Sequence, residues 1–586
     1  MIEQQIESEK FSISISRIKL PSGDVKPPKL GVTAFVGPNN VGKSTILRQI
    51  AARSTQGFAG GGFQGEPILV EDLDFAATGT EEEMISWFES HSGIRTLANG
   101  VREFLRPSAS GVTESDLCHM YRRGWPQGFQ TAQSHIMLYG DAWSRISSIA
   151  PVQMRDQFDN PAVHPIHRLQ DQPELFDELS SLCMQVFGVH LTLDTLSMSQ
   201  NIRIGSLRVE IPPVNKVSPE YREALASLPM LQNQGDGMRS FIGLMLPLLT
   251  STYQTILLDE PEAFLHPPQA FQLGKVLGEQ ARQKGTQVIL ATHDRNLLAG
   301  LLQSESDVSI VRLDRGEGDA NTSRQLSVEN LRKIWSDPVL RHSNTLDALF
   351  HKVAILAEGD RDCTFYAAAL EYWSNESTQS PHPADALFIP SGGKGGLPLL
   401  VEVLRSAAVP VVATPDLDVL NNKDTLKKLV AKFGGDWSEF EKDYDVATEP
   451  FRAPRSDPTV AEVLASLNAL FGSRSNDSFT AAVANEFKGQ LRARENPWNA
   501  LKVYGEAAWA PNPQAAAAAQ RLLGRLDRLG IVTVRVGELE RFAPTLEVRK
   551  GPEWTPAAIR EGYHKTDQAQ RHVDRMMQSR PVAPSA

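Results

Sequence analysis

The chain has 586 residues, a length that predicts three or four domain-sized units with more than one buried core. Hydrophobic residues make up 41% and charged residues 22%, which is typical of a globular protein and excludes a fibrous or wholly disordered chain. Lys and Arg total 59 against 70 Asp and Glu, a net charge of −11, so nucleic acid would have to be met by a local basic patch or through bound metal.

Cysteine usage and the N-terminus predict a cytoplasmic protein. Cys118, Cys183 and Cys363 lie far apart and form no C-x-x-C pair, which argues against a zinc site or a disulfide framework. The start, MIEQQIESEKF, is acidic where a signal peptide would be basic and then apolar. The uncharged stretch 240–258 contains Pro247 and several polar residues, so we expect a buried helix end, a turn and a buried strand, and no membrane span.

Two predicted strands, 11–20 and 30–36, open the chain, and a motif of the form G-x-x-x-x-G-K-[ST] follows the second one. Its glycines let backbone N–H groups wrap phosphates at a helix N-terminus, Lys43 would neutralise the outer phosphates, and Ser44 would hold Mg²⁺. The alternative is a tight strand-to-helix turn without a ligand. The residues expected to bind ATP are Gly37, Asn39, Asn40, Gly42, Lys43, Ser44 and Thr45.

The region 51–230 has a mixed pattern, with predicted helices at 81–90 and 173–187 and strands near Leu191 and Val209; we assign inserted and dimerisation elements to it. From 237 to 312 the order becomes helix, strand, helix, strand, which favours a parallel sheet.

Acidic residues end the first strand of that run. Asp259 can hold the metal ion, and Glu260 can polarise an attacking water. His293 ends the next predicted strand, where it would sense the terminal phosphate. The alternatives are a buried strand end that carries surface acids and a structural histidine.

These motifs make residues 1–345 resemble an ABC-type ATPase head of the SMC-like kind, with a mixed sheet and a helical insertion. The resemblance implies that a glycine-bearing helix N-terminus from a partner subunit closes over ATP. Gly235 and Gly237 are the matching residues, and Gln234 or Asp236 stands where the family has serine. The resemblance therefore also implies a homodimer, or a higher homo-oligomer, formed through the heads.

A second group of acids follows strands in the C-terminal part. Glu358 and Asp362 come after the predicted strand 353–357, and Asp416 and Asp418 come after 409–414. Because parallel strands placed side by side end at one sheet edge, the four acids would form a cage for Mg²⁺ or Mn²⁺. Two such ions can activate water and stabilise the leaving oxygen in phosphodiester cleavage. Further strands are predicted at 386–389 and 531–536.

This pattern resembles the TOPRIM fold over 346–550, with a helical insert at 421–530 and a frayed tail at 551–586. An ABC head followed by TOPRIM resembles the OLD (overcoming lysogenization defect) nucleases. The resemblance implies that Glu358, Asp362, Asp416 and Asp418 are metal ligands, and that Glu358 serves as acid or base. Pro415 departs from the family pattern, since proline fixes φ and lacks a backbone donor.

Three further sites extend this prediction. By the resemblance, Glu540, or less favourably Glu538, completes the second metal site, and Lys550 stabilises the cleavage transition state; the alternative for Lys550 is a solvated surface lysine. The glycine-rich loop 391–396 and its Lys394 could hold a DNA phosphate, or form an ordinary flexible turn.

The resulting prediction is an ATP-hydrolysing, metal-dependent DNA endonuclease of the OLD type in anti-phage defence, whose ATP state gates the TOPRIM site. One alternative is an SMC-like ATPase clamp in which TOPRIM is only a scaffold. The other is a defence effector that cleaves RNA such as tRNA, or that is restrained by a second component.

Overall fold

The protein is described by a computed structural model. The described residues are 11–56, 67–106, 111–124, 129–154, 162, 164–250, 253–315, 321–326, 328–329, 332, 336, 344–376, 383–452, 459–471 and 497–579. They divide into two compact units, Met1–Phe350 and His351–Ala586.

The first unit contains fifteen strands and eleven α-helices within the described residues. The strands are β1 Ser12–Leu20, β2 Gly23–Val25, β3 Gly31–Val36, β4 Asp72–Thr78, β5 Gly93–Thr96, β6 Arg102–Leu105, β7 Val112–Thr113, β8 Met137–Gly140, β9 Val152–Gln153, β10 Leu191–Asp194, β11 Ser199–Ile204, β12 Thr255–Asp259, β13 Gln287–Ala291, β14 Val308–Arg315 and β15 Asn321–Leu326. The helices are α1 Lys43–Gln56, α2 Glu81–His91, α3 Glu114–Arg123, α4 Phe129–Ile136, α5 Ala142–Ser147, α6 Pro165–Asp171, α7 Pro173–Phe187, α8 Pro219–Ser227, α9 Asp236–Leu249, α10 Pro267–Gln283 and α11 Arg295–Gln303.

A six-stranded mixed sheet organises the first unit, in the order β15-β14-β3-β13-β12-β8. Its strands are parallel except for β15, which pairs antiparallel with β14 at the edge. Every residue of β3 and β13 is buried, as expected for central strands covered on both faces. The phosphate-loop motif therefore follows a central strand, and the predicted α/β class with a mixed sheet is confirmed. Three smaller antiparallel sheets, β2-β1-β4, β5-β6-β7 and β10-β11-β9, complete the unit.

Within the stretch 240–258, residues 240–249 form the buried part of α9 and 255–258 are buried in β12, as predicted for the helix end and the strand; residues 251–252, where the turn is predicted, lie outside the described residues. No helix in the described parts of the chain has both the length and the apolar character needed to cross a bilayer.

The second unit contains a parallel sheet in the order β17-β16-β18, with all five residues of the central strand buried. Its strands are β16 Val353–Ala357, β17 Ala386–Pro390 and β18 Val411–Thr414. Its α-helices within the described residues are α12 Asp360–Glu376, α13 Leu397–Ser406, α14 Lys423–Lys432, α15 Ser438–Arg452, α16 Val460–Phe471, α17 Asn499–Tyr504, α18 Pro513–Leu529, α19 Trp554–Arg560 and α20 Asp567–Gln578. Helices α14 to α18 lie between β18 and the segment 530–537.

Three local predictions were wrong. The segment 531–536 forms no continuous strand: it pairs parallel to β18 through the bridges Ala413↔Ile531 and Asp416↔Val534, and Val532 N–H donates to the Ala413 carbonyl at 2.8 Å. No strand forms at Val209; the strand of that region is β11. The segment after Arg549 is not a frayed tail, because Trp554 and Val573 on α19 and α20 are buried in the core of the unit. Apolar faces on these two helices supply the burial that holds them. The last residues, 580–586, lie outside the described part.

Candidate functional site: a phosphate loop and a carboxylate cluster

The phosphate loop is built by backbone conformations that few residues adopt. Gly37 and Gly42 have φ of 145° and 91°, and Asn40 has φ of 63°. Lys43 Nζ donates to the carbonyl oxygens of Gly37 and Pro38, both at 2.8 Å. Burial lowers the pKa of Lys43, while Glu260 and the neighbouring acids oppose that shift. Phosphate oxygens of a bound nucleotide would replace these two carbonyls as partners of the ammonium.

The end of β12 lies against the start of α1. Ser44 Oγ donates to Asp259 Oδ1 at 2.9 Å, and burial raises the pKa of Asp259. A hydroxyl and a carboxylate at this distance fit a shared Mg²⁺ ion, for which both oxygens are suitable hard ligands. The two other loop residues are placed differently: Asn39 is exposed, and Thr45 Oγ1 accepts from Arg48 Nη2 at 3.3 Å.

Glu260 and His293 meet at the carboxyl ends of β12 and β13. His293 Nδ1 lies 3.2 Å from Glu260 Oε1 and 3.6 Å from Glu262 Oε1. Glu262 is buried and accepts from Thr292 Oγ1 at 2.7 Å, and burial raises its pKa. Glu260, by contrast, is half-exposed, so its carboxylate is open to solvent beside the phosphate loop. The structure therefore brings the predicted acid and histidine together.

Arg145, on α5, is a residue of this site that sequence reasoning missed. It is 3% exposed and donates from Nη1 to the carbonyl oxygens of Gly140 and Asp259, at 3.1 and 2.9 Å. Its Nη2 donates to the carbonyl of Glu260 at 2.8 Å, and its Nε donates to Ser240 Oγ of α9 at 3.1 Å. Burial lowers the pKa of this guanidinium, and the nearby acids oppose the shift. No local motif marks such a residue, since three of its four acceptors, in Ser240, Asp259 and Glu260, lie about a hundred residues away in the sequence.

The two glycines assigned to the partner-facing helix have different surroundings. Gly235 precedes the first turn of α9, and a Cβ there would have no heavy atom within 4 Å. A Cβ on Gly237 would lie 2.6 Å from the carbonyl oxygen of Phe264, whose backbone has φ of 70°. Gly237 is therefore required for packing within the chain, and Gly235 is open to a ligand.

In the second unit, three predicted ligands converge. Carboxylate oxygens of Glu358, Asp416 and Asp418 lie within 4.8 Å of one another, at the ends of the neighbouring strands β16 and β18. The backbone N–H of Asp416 donates to Glu358 Oε1 at 3.1 Å. Pro415 has no backbone N–H, but its carbonyl accepts from the N–H of Val534 at 3.0 Å. The three carboxylates converge with this proline in place. We call these three residues the carboxylate cluster.

The charge balance of the carboxylate cluster fits a divalent cation. Asp416 Oδ1 is shielded from solvent and accepts no hydrogen bond from the described residues. Burial raises the pKa of Asp416 well above its usual range, and the charges of Glu358 and Asp362 add to the shift. Burial likewise raises the pKa values of Glu358 and Asp362. Hard oxygen ligands that repel one another in a small space are the donor set of Mg²⁺ or Mn²⁺.

The other predicted residues lie around the carboxylate cluster. Asp362 Oδ2 accepts from the N–H of Gly359 at 3.0 Å, and this carboxylate is outside the group of three. Lys550 Nζ donates to Glu538 and Glu540, both at 3.0 Å. Arg361 Nη1 also lies 3.6 Å from Glu540. The metal role of Glu540 and the catalytic role of Lys550 stay predictions.

Two lysines contact Asp418. Lys394, from the glycine-rich loop, lies against Asp418 Oδ1, so in this structure it meets a carboxylate at the place where we predicted a phosphate. Lys502 Nζ, from α17, lies 3.0 Å from Asp418 Oδ2. No motif marks Lys502 in the sequence, because nothing around it distinguishes it from a surface lysine.

Known proteins resemble parts of this chain. Residues 104–299 match a family model described as "AAA domain, putative AbiEii toxin, Type IV TA system", a segment that contains Asp259 and His293. The chain is 24% identical to the OLD nuclease of Thermus scotoductus over 430 residues, which cover 68% of this chain and 80% of that protein. The chain is a relative of the OLD nucleases. The aligned length exceeds the first unit, so the OLD resemblance extends beyond the ATPase-like part.

Three further similarities are shorter or weaker. This chain is 31% identical over 105 residues to an uncharacterized protein of Methanocaldococcus jannaschii, which covers 17% of this chain and 90% of that protein. Over that segment the two proteins belong to one family. An SMC head domain from Thermotoga maritima aligns with 54% of the chain and 99% of its own length, at 15% identity and a TM-score of 0.29. An SMC head bound to the winged-helix domain of ScpA aligns with 55% of the chain and 99% of its own length, at 12% identity and a TM-score of 0.34.

Proposed function

We propose that the chain is an ATP-hydrolysing, divalent-metal-dependent DNA endonuclease of the OLD type. The observation that carries the proposal is the carboxylate cluster at the ends of two parallel strands, with a buried Asp416 oxygen that accepts no hydrogen bond from any described residue. The similarity to an OLD nuclease supports the same activity independently of that geometry.

In the first unit, we assign nucleotide binding to the phosphate loop and hydrolysis to the end of β12. Lys43 would exchange its two loop carbonyls for phosphate oxygens, and Ser44 and Asp259 would hold Mg²⁺. Glu260 would orient the attacking water, with His293 placed to hold that carboxylate and sense the terminal phosphate.

In the second unit, Glu358, Asp416 and Asp418 would hold the divalent ion, with Asp362 and Glu540 as ligands of a second one. The bound ions would supply an activated water and neutralise charge on the leaving oxygen. The chain's own part is to keep these carboxylates close together: the Asp416 N–H anchors Glu358, and the Gly359 N–H anchors Asp362. The TOPRIM assignment of this unit, Glu358 as acid or base, and Lys550 as the cation at the scissile phosphate belong to the same proposal.

We further propose that two chains, or a higher homo-oligomer, pair through their ATPase units around ATP, with Gly235 facing the partner's nucleotide. The ATP state of that assembly would gate access of DNA to the carboxylate cluster. Anti-phage defence in the cytoplasm, with or without a second defence component, is the setting that the OLD similarity suggests.

A nicking assay with the purified full chain tests the proposal. The substrates are supercoiled plasmid, linear DNA and RNA, with Mg²⁺ or Mn²⁺ and with or without ATP. Asp416→Ala should abolish metal-dependent cleavage and leave ATP binding intact. Asp424→Ala, which removes an exposed carboxylate of α14, is the matched control and should cleave normally. Lys43→Ala should weaken ATP binding, and its effect on cleavage shows whether ATP activates or restrains the nuclease.

Two other outcomes identify the rival functions. Absence of metal-dependent cleavage on every substrate, with ATP hydrolysis intact, would support an SMC-like clamp in which the second unit is a scaffold. Cleavage of RNA alone would support an effector that acts on RNA such as tRNA. Cleavage that persists in Asp416→Ala would remove the carboxylate cluster from the mechanism.

A further inference from the structure

Both oxygens of one carboxylate in the cluster are neutralised by ammonium groups of the chain. Lys394 lies against Asp418 Oδ1, and Lys502 Nζ is 3.0 Å from Asp418 Oδ2. Asp418 is 8% exposed, so these pairs form at a site that is largely removed from water. Asp418 is the member of the carboxylate cluster that lies within ion-pair distance of two lysines among the described residues, and its Oδ1, like Asp416 Oδ1, accepts no hydrogen bond of ordinary geometry from them.

Lys502 is held in place by its backbone. It lies on α17, between the fully buried Leu501 and a close approach to the segment that borders β18. A Cβ on Gly537 would lie 2.4 Å from the carbonyl oxygen of Lys502, so the two backbones approach closely here. Gly537 has φ of 113°, a conformation that favours glycine. The Gly537 carbonyl also accepts from the N–H of Leu417, next to Asp418. The lysine therefore projects from a rigid support, with its side chain 37% exposed.

We infer that Lys502 acts as a stand-in cation at Asp418 and sets the affinity of the carboxylate cluster for divalent metal. An oxygen that accepts from an ammonium offers a weaker bond to a metal ion, and an ammonium close to a dication repels it. A divalent ion must therefore displace Lys502 from Asp418 before all three carboxylates can bind it. This inference rests on the proposed metal site and names a residue of the helical segment that tunes it.

Lys502 and Lys394 are carried by different elements of the chain. Lys394 extends from a loop whose glycines Gly392 and Gly393 have positive φ and open space around them. That loop is hydrogen-bonded to the end of β16, since the Gly393 N–H donates to the Glu358 carbonyl at 2.9 Å, whereas Lys502 extends from the short helix α17. Lys502 is the lysine partner of Asp418 that lies outside the glycine-rich loop, so its substitution leaves that loop unchanged.

The test measures Mn²⁺ binding to the nucleotide-free full chain through the electron paramagnetic resonance signal of free Mn²⁺. Lys502→Met should lower the dissociation constant of the site lost in Asp416→Ala by about tenfold, the scale of ammonium–dication repulsion in a solvated site. Lys502→Arg, which keeps the charge, should remain near the unmodified protein. Lys432→Met is the matched control, because Lys432 is 38% exposed and pairs with Glu402 at 2.7 Å away from the carboxylate cluster.

The outcomes distinguish failure of the Lys502 role from failure of the proposed metal site. Unchanged or weaker Mn²⁺ binding in Lys502→Met, with the unmodified protein binding normally, overturns the role of Lys502 and leaves the proposed nuclease site standing. Equal Mn²⁺ binding by the unmodified protein and Asp416→Ala overturns both. Thermal melts of each variant establish that folding is retained, and Lys502→Arg supplies the comparison if Lys502→Met melts early.

Discussion

Arg145 Nη2 donates to the carbonyl oxygen of Glu260 at 2.8 Å, and the backbone of Glu260 has φ of 46°. This left-handed conformation is unfavourable for a residue with a Cβ and persists only where the surroundings enforce it. The guanidinium therefore fixes the direction in which the Glu260 carboxylate leaves the chain. Through Ser240 it also ties that position to α9, the helix that begins beside Gly235.

Arg145 is a positioning residue, and we predict that Arg145→Lys lowers kcat for ATP hydrolysis by about 10- to 100-fold with little change in KM, because the reacting groups lose their alignment. A lysine cannot serve four acceptors at once, so we also expect a loss of about 2–4 kcal/mol in unfolding free energy. Steady-state ATPase kinetics and chemical denaturation measure the two effects. Arg122→Met, at an exposed pair with Glu81, is the control and should change neither. Equal losses in nucleotide affinity and kcat would contradict the positioning role.

The two glycines at the start of α9 should separate packing from partner contact. Gly235→Ala has room for its methyl group and an ordinary φ of −61°, so the chain should fold and bind ATP normally. If Gly235 faces a partner's nucleotide, ATP-induced self-association in analytical ultracentrifugation should be lost. Gly237→Ala should instead lower stability by about 1–3 kcal/mol, because its Cβ overlaps the carbonyl of Phe264. Normal ATP-dependent association of Gly235→Ala would exclude that glycine from the interface.

Asp416→Asn should stabilise the metal-free protein while abolishing its response to metal. The carboxylate is buried among like charges, which raises its pKa, and an isosteric amide removes that repulsion. We expect a gain of about 1–2 kcal/mol without metal, as is typical where function opposes stability. Thermal melts with and without Mn²⁺ measure both effects, and Asp424→Asn is the exposed control. A destabilised Asp416→Asn protein that still responds to Mn²⁺ would argue against the metal site.

The first unit should lose stability in acid through His91. Its ring stacks on Trp87 at 4.6 Å, and burial lowers its pKa to about 3. In the unfolded chain this histidine binds a proton near pH 6.5, whereas in the folded chain it stays neutral to a much lower pH. The free energy of unfolding therefore falls as the pH drops below about 6.5. At about pH 5 the loss from this group is about 2 kcal/mol.

His91→Phe keeps the stacking and should flatten this pH dependence, as followed by hydrogen exchange in peptides that cover α2. His119→Phe, at an exposed position, should leave the slope unchanged. An unaltered acid slope in His91→Phe would assign the pH dependence to other groups.

The sequence by itself determined the features that depend on local chemistry and strand order. The phosphate loop, the acids at the end of β12, and Glu358, Asp416 and Asp418 were predictable because parallel strands end at one sheet edge and place their following residues together. The apolar runs of β3, β13 and β16 marked them as central strands for the same reason: both faces are covered.

Only the tertiary structure decided which side chains serve these sites from a distance. Arg145 contacts Asp259 across 114 residues of chain, and Lys502 reaches Asp418 from a helical segment whose sequence shows no motif. The same holds for α19 and α20, whose burial depends on the apolar surface of the sheet unit they cover. The physical reason is that a hydrogen bond or ion pair requires distance and direction in space, and periodicity along the chain specifies neither for residues separated by a hundred positions or so.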